Sequence, residues 1–163
     1  MLEKPALKTP LSRKKILASA REIHGAAVAL LARRDYARRE LYRKLSPRID
    51  QHELLNQALD QLLADGLQSD ERFAESYTRF RRLKGIGPTR IKAELREKGI
   101  SENLLAQIIN KDDPRWLASA KTVLQKKYGE TKPVSAAEKA KRIKFLNYRG
   151  FEFEQIELAL NDD

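Results

Sequence analysis

Glu94-Leu95-Arg96-Glu97-Lys98-Gly99-Ile100, followed by the apolar pairs Leu104-Leu105 and Ile108-Ile109, has two echoes in the 163-residue chain. Glu40-Leu41-Tyr42-Arg43-Lys44-Leu45 leads to Ile49, then to Leu54-Leu55 and Ala58-Leu59. Phe145-Leu146-Asn147-Tyr148-Arg149-Gly150 leads to Phe151, then to Ile156 and Ala159-Leu160. Apolar residues three and four apart share one helix face, and glycine suits the left-handed residue that ends a helix. Each stretch therefore reads as a short helix, an apolar turn residue and a further helix. A longer amphipathic segment precedes each, at 14–33, 70–84 and 114–128. No segment alternates apolar and polar residues long enough to make a strand. The expected fold is all-α: three tandem three-helix repeats at 14–67, 68–112 and 113–163. Three such helices hide their apolar stripes poorly alone, so the repeats stack into an elongated curved array.

Local signals set the expected helix limits. Residues 1–13, with Pro5, Pro10, Lys4 and Lys8, read as a disordered basic tail. Helix one is expected to start at Lys14 and to present Ile16, Ala20, Ile23, Ala27, Leu30 and Leu31 inward. Ser46-Pro47 ends helix two, because the residue before proline avoids the helical region. Asp50-Gln51-His52-Glu53 resembles a capping box for helix three. Phe73, Tyr77 and Phe80 make the stripe of helix four. Pro88 opens helix five, Ser101 caps helix six and Asp113-Pro114 opens helix seven. Ser135-Ala136-Ala137-Glu138 is a full capping box for helix eight, and Phe151 leads into helix nine.

Charge and composition narrow the function. The net charge is +10, in blocks of +9 over residues 1–48, −6 over 49–77, +6 over 78–98 and +1 over 99–163. Such blocks suit a nucleic-acid backbone or an acidic protein surface. There is no cysteine, and the two histidines, His24 and His52, lack metal-ligand spacing. Phosphate-loop, dinucleotide, zinc-protease and serine-hydrolase motifs are absent, so no enzyme, catalytic residue, cofactor or metal is expected. No apolar run approaches the ~20 residues of a membrane span, and a cytoplasmic, monomeric protein is expected.

The candidate binding residues are Arg33, Arg34, Arg38, Arg39 and Arg43 in the first repeat, with Lys44 beside them. In the second they are Arg79, Arg81, Arg82, Lys84, Arg90, Lys92 and Arg96, joined by Lys98. The second set is expected to form one basic surface opposite the apolar residues of helices four and five. Arginine forks suit phosphate and carboxylate. Lys121, Lys126 and Lys127 are expected to lie outside that surface. Gly85-Ile86-Gly87-Pro88 looks like the turn of a helix-hairpin-helix element, whose backbone N–H groups hold a phosphate. It fits a plain interhelix turn as well. A direct, non-sequence-specific DNA-binding module using this turn and the arginines is therefore the alternative function.

The chain also resembles the RecX family of bacterial recombinase regulators. The resemblance rests on Leu30-Leu31-Ala32-Arg33-Arg34-Asp35-Tyr36-Ala37-Arg38-Arg39-Glu40-Leu41, on Asp70-Glu71-Arg72-Phe73-Ala74, on the run from Gly87 to Ile100, and on Phe145 to Phe151. It implies tandem three-helix repeats and a partner, RecA assembled on single-stranded DNA, with only weak binding of free DNA. It implies lodging in the groove of that filament, with inhibition of its extension, ATP hydrolysis, strand exchange and coprotease activity. One departure is Ala37, where the family commonly carries Ser or Thr. Ala37 has no acceptor for the helix start, and Asp35 is expected to take that role.

Overall fold

Helical spacing becomes helix throughout a computed structural model that describes residues 15–161; the tail expected at 1–13 lies outside them. In order, the described residues form α1 (Ala20–Leu31), α2 (Arg38–Leu45), α3 (His52–Ala64), α4 (Asp70–Leu83), α5 (Pro88–Glu97), α6 (Glu102–Ile108), α7 (Pro114–Tyr128), α8 (Ala136–Tyr148) and α9 (Phe153–Asn161). None of these helices is long and apolar enough to cross a membrane.

The cores follow one another along the chain, as a helical repeat array requires. Ile23, Leu41, Leu55 and Leu59 hold α1 to α3 together. Phe73, Ile91, Leu95 and Leu105 hold α4 to α6. Ala120, Leu124, Leu146 and Ile156 hold α7 to α9. The apolar turn residues Ile49, Ile100 and Phe151 sink into the first, second and third core. Each therefore pins the connection between its repeat's second and third helices. Two residues cross over: Ala37 and Trp116 both belong to the second core. Trp116 keeps its ring N–H satisfied on the Asn110 carbonyl at 2.8 Å.

Several helix starts differ from expectation. α1 begins at Ala20, because Ser19 accepts from the Glu22 N–H at 3.2 Å and the Glu22 carboxylate reaches back to the Ala18 N–H at 3.0 Å. The residues before it are a strap. Leu17 N–H donates to the Arg48 carbonyl at 2.8 Å, and Arg48 Nε donates to the Lys15 carbonyl at 3.0 Å. Leu17 is thereby buried, while Ile16 is 47% exposed. Asp50 does not cap α3; Gln51 occupies that position without a side-chain bond. Phe80, expected inward, is 56% exposed.

The joins between repeats are polar and close. At α2, Asp35 does not replace the missing acceptor of Ala37; it faces Arg72 Nε at 3.5 Å. The first-turn N–H of Arg38 donates instead to Asp70 Oδ1 at 2.8 Å, from the first residue of α4. The buried Gln68 amide steadies that carboxylate at 2.8 Å and also donates to the Tyr36 carbonyl at 3.2 Å. At α5, the Gly87 N–H donates to the Arg149 carbonyl at 2.8 Å and the Thr89 N–H to the Gly150 carbonyl at 3.0 Å. A Cβ on Gly87 would overlap the Gly150 carbonyl. The phosphate-cradle reading of Gly85-Ile86-Gly87-Pro88 is thus corrected. All four residues are buried, and the Gly87 N–H that such a cradle needs already serves the third repeat.

Gly87→Ala tests this join. Its φ of −82° is open to alanine, so backbone strain does not contribute. The added methyl meets backbone that cannot swing aside, and a loss of about 3 kcal/mol is expected in urea unfolding. An unchanged midpoint would mean that the two repeats are not held in this contact.

Candidate anion-binding groove

The basic surface expected on the second repeat is largely neutralised from within. Arg81 grips Glu94 with two bonds, at 2.8 and 2.5 Å, and Tyr77 O–H and Arg90 Nε add bonds to the same carboxylate at 3.0 and 3.3 Å. Burial works to raise the Glu94 pKa, but the donors from Arg81 and Tyr77 outweigh it and hold the carboxyl below its ordinary value. Burial, reinforced by Glu94, pushes the Tyr77 phenol up to about 12. Arg96 pairs with Glu102 through both arms of its fork, and Lys98 pairs with Glu40 at 2.8 Å.

The first-repeat cations are divided in the same way. Arg34 lies 3.6 Å over the Tyr36 ring and pairs with Glu40 at 3.3 Å. Arg38 pairs with Asp60 at 2.7 Å. Arg39 runs its stem against Gly99 of the next repeat. Arg33, Arg43 and Lys44 are exposed, and so is Arg79 in the second repeat; Lys92 is half-buried.

Charge that, among the described residues, is paired with a carboxylate only at Arg115 collects elsewhere, in a groove of about 620 Å³ between the end of α4, the length of α7 and the end of α8. Six cations line it: Arg82, Lys84, Arg115, Lys126, Lys127 and Arg149. Among the described residues, no Asp or Glu lines it. Three helix C-termini explain part of the grouping. Lys84 follows α4, Lys126 and Lys127 close α7, and Arg149 follows α8, where carbonyl ends favour positive charge. Arg149 is fixed by the carbonyls of Lys84 and Gly85, both at 3.2 Å, so the join between repeats also sets this side chain. Arg115 is held by Asp113, with bonds from 2.5 to 2.9 Å, outside the groove wall. Arg82, 5.5 Å over the Trp116 ring, has its pKa lowered by burial and then by the like charge of Arg115. Cations grouped in this way favour an incoming anion.

Of the candidate binding cations named from the sequence, only Arg82 and Lys84 enter this groove, with Gly85 of the turn beside them. Lys126 and Lys127, expected outside the functional surface, lie in it, and Arg115 and Arg149 join them. No spacing motif links residue 82 to residue 149; the fold alone does. Among the described residues, no group of three or more His, Cys, Asp or Glu is placed to hold a metal.

Residues 69–108 match the family description "RecX, second three-helix domain", and residues 113–160 match "RecX, third three-helix domain". The chain is 39% identical over 130 residues to the regulatory protein RecX of Pseudomonas entomophila, covering 80% of this chain and 84% of that one. It is 34% identical over 142 residues to the regulatory protein RecX of Halorhodospira halophila, covering 87% and 88%. In three dimensions it is similar to RecX from Lactobacillus salivarius, with a TM-score of 0.76 at 23% identity, over 88% of this chain and 95% of that one.

Two measurements separate neutralised from unneutralised charge. Glu94 has its pKa lowered by folding, so its contribution is present above the unfolded value near 4.5 and is lost as pH falls through the folded value. Glu94→Gln should cost about 2 kcal/mol at neutral pH and flatten the acid limb of the stability curve. A variant that keeps the wild-type acid limb would show that Glu94 is not the hub. Lys126→Ala with Lys127→Ala should shift stability by only about 0.5 kcal/mol, as for surface positions. A large fall in melting temperature would make these lysines structural.

Proposed function

The chain belongs to the RecX family, and on that premise we propose that it is a negative regulator of RecA. In this reading it lies in the groove of the RecA filament on single-stranded DNA. There it restrains filament extension, ATP hydrolysis, strand exchange and coprotease activity. The observation that carries the reading is the groove that six cations line, with no carboxylate among the described residues, set into a series of stacked repeats. A filament offers repeated anionic surfaces, and an array of repeats meets several of them at once, so individually weak contacts add as avidity. The protein acts as a cytoplasmic monomer, with 14–67, 68–112 and 113–163 as its units. It needs no cofactor and no catalytic step. Its affinity for free single-stranded DNA is weak.

Within the binding set, Arg82 and Lys84 carry the contact in the groove, and Arg33, Arg43 and Arg79 extend it over the first two repeats. Arg81 and Arg96 serve the fold through Glu94 and Glu102. The alternative, tight binding of free DNA through the Gly85–Pro88 turn, loses its central element, because that turn's Gly87 and Thr89 N–H groups bond the third repeat.

Sub-stoichiometric protein should slow ATP hydrolysis by RecA on single-stranded DNA and shorten its filaments. Arg82→Ala with Lys84→Ala should weaken that effect by roughly tenfold. If a molar excess of the protein leaves both hydrolysis and filament length unchanged, the reading fails.

A further inference from the structure

The cations of the groove alternate with apolar surface. Leu83, between Arg82 and Lys84, is 75% exposed, and Ala118, Val123 and Phe145 also line the groove. One turn before Lys84, Phe80 is 56% exposed, with the Lys84 ammonium 5.6 Å from its ring. Two neighbouring apolar side chains are thus left open beside concentrated positive charge.

A phosphodiester strand satisfies the charge but leaves that apolar surface wet. Nucleobases compensate elsewhere by stacking on open aromatic rings. The ring that lines this groove, Phe145, is already engaged, and the open Phe80 ring lines a separate hollow that holds Asp35 and Glu40, where a phosphate backbone meets like charge. Lys127 Nζ lies 4.3 Å and Arg149 Cζ 5.0 Å from the Phe145 centroid, and Tyr128 meets that ring edge-on at 5.8 Å. Carboxylates match guanidinium forks in plane and spacing. A leucine-sized side chain between two carboxylates covers Leu83, a burial worth severalfold in affinity. Because no Asp or Glu among the described residues lines the groove, an acidic segment meets none of their charge on entering it.

We infer that the groove between α4, α7 and α8 binds an acidic amphipathic polypeptide segment of the partner, with carboxylates on Arg82, Lys126 and Arg149 and an apolar side chain on Leu83. The identity of the partner rests on the reading of the chain as a RecA regulator; the chemistry of the groove does not.

Two arms test this with the full chain. In the first, fluorescence anisotropy compares a peptide of mixed Glu and Leu, an all-Glu peptide of equal charge and an oligothymidylate, with no RecA present. The mixed peptide should bind about fivefold tighter than the all-Glu peptide. Leu83→Ser should abolish that preference, and Lys126→Ala with Lys127→Ala should weaken both peptides by about tenfold. The proposal is overturned if the mixed peptide shows no binding at about 1 mM, if Leu83→Ser leaves the preference intact, or if oligothymidylate binds tighter than either peptide and suffers most from the lysine changes. In the second arm, Thr122→p-benzoylphenylalanine places a photoreactive group on the groove wall of protein bound to a RecA filament. Transfer to a polypeptide rich in Asp and Glu supports the proposal, and transfer to DNA overturns it. If the protein does not join filaments at all, the regulatory reading falls, and the peptide arm still decides the groove.

Discussion

The backbone of Gly87 lies so close to that of Gly150 that no side chain fits between them. Most of the functional geometry depends on that contact. It sets α4 and α5 against α7 and α8, and so brings Arg82 and Lys84 opposite Lys127 and Arg149. Backbone donors at the start of a helix must find acceptors, and here the third repeat supplies them. The same hydrogen bonds that complete α5 therefore build the cationic groove. A turn that looks ready for phosphate from its sequence is a structural hinge pin instead.

Both joins follow one rule: the following repeat completes the start of the second helix in the repeat before it. Asp70 of α4 accepts from the first turn of α2, and the carbonyls of Arg149 and Gly150 accept from the start of α5. Capping by the neighbour makes each repeat's stability conditional on the next, which suits modules too small to hide their own stripes. It also explains how α2 tolerates Ala37. The acceptor absent from Ala37 is provided 33 positions along the chain by Asp70. The Glu40 carboxylate keeps the reciprocal half of the cap, accepting from the Ala37 N–H at 3.4 Å.

The repeat was legible because it rests on periodicity, and the buried turn residues Ile49, Ile100 and Phe151 mark it in the chain. The start of α1 was missed, although Ser19-Ala20-Arg21-Glu22 has capping-box spacing, because the longer apolar stripe from Ile16 obscured it. The groove was not legible. A count of positive residues cannot tell Arg81, committed to Glu94, from Lys126, which faces the groove. That distinction depends on which side chains the joins bring together across 67 positions, from Arg82 to Arg149.

The central claim is that this unneutralised charge, and not the total, drives association. The most direct measurement is the salt dependence of affinity for RecA filaments, for proteins altered at two matched pairs of positions. Replacing Lys84 and Lys126 with Ala should flatten the decline of affinity with salt, because groove charges meet the partner through screened solvent. Replacing Arg81 and Arg96 should lower stability and leave the salt slope as it is. Equal flattening from both pairs, or flattening from the second alone, would contradict the account.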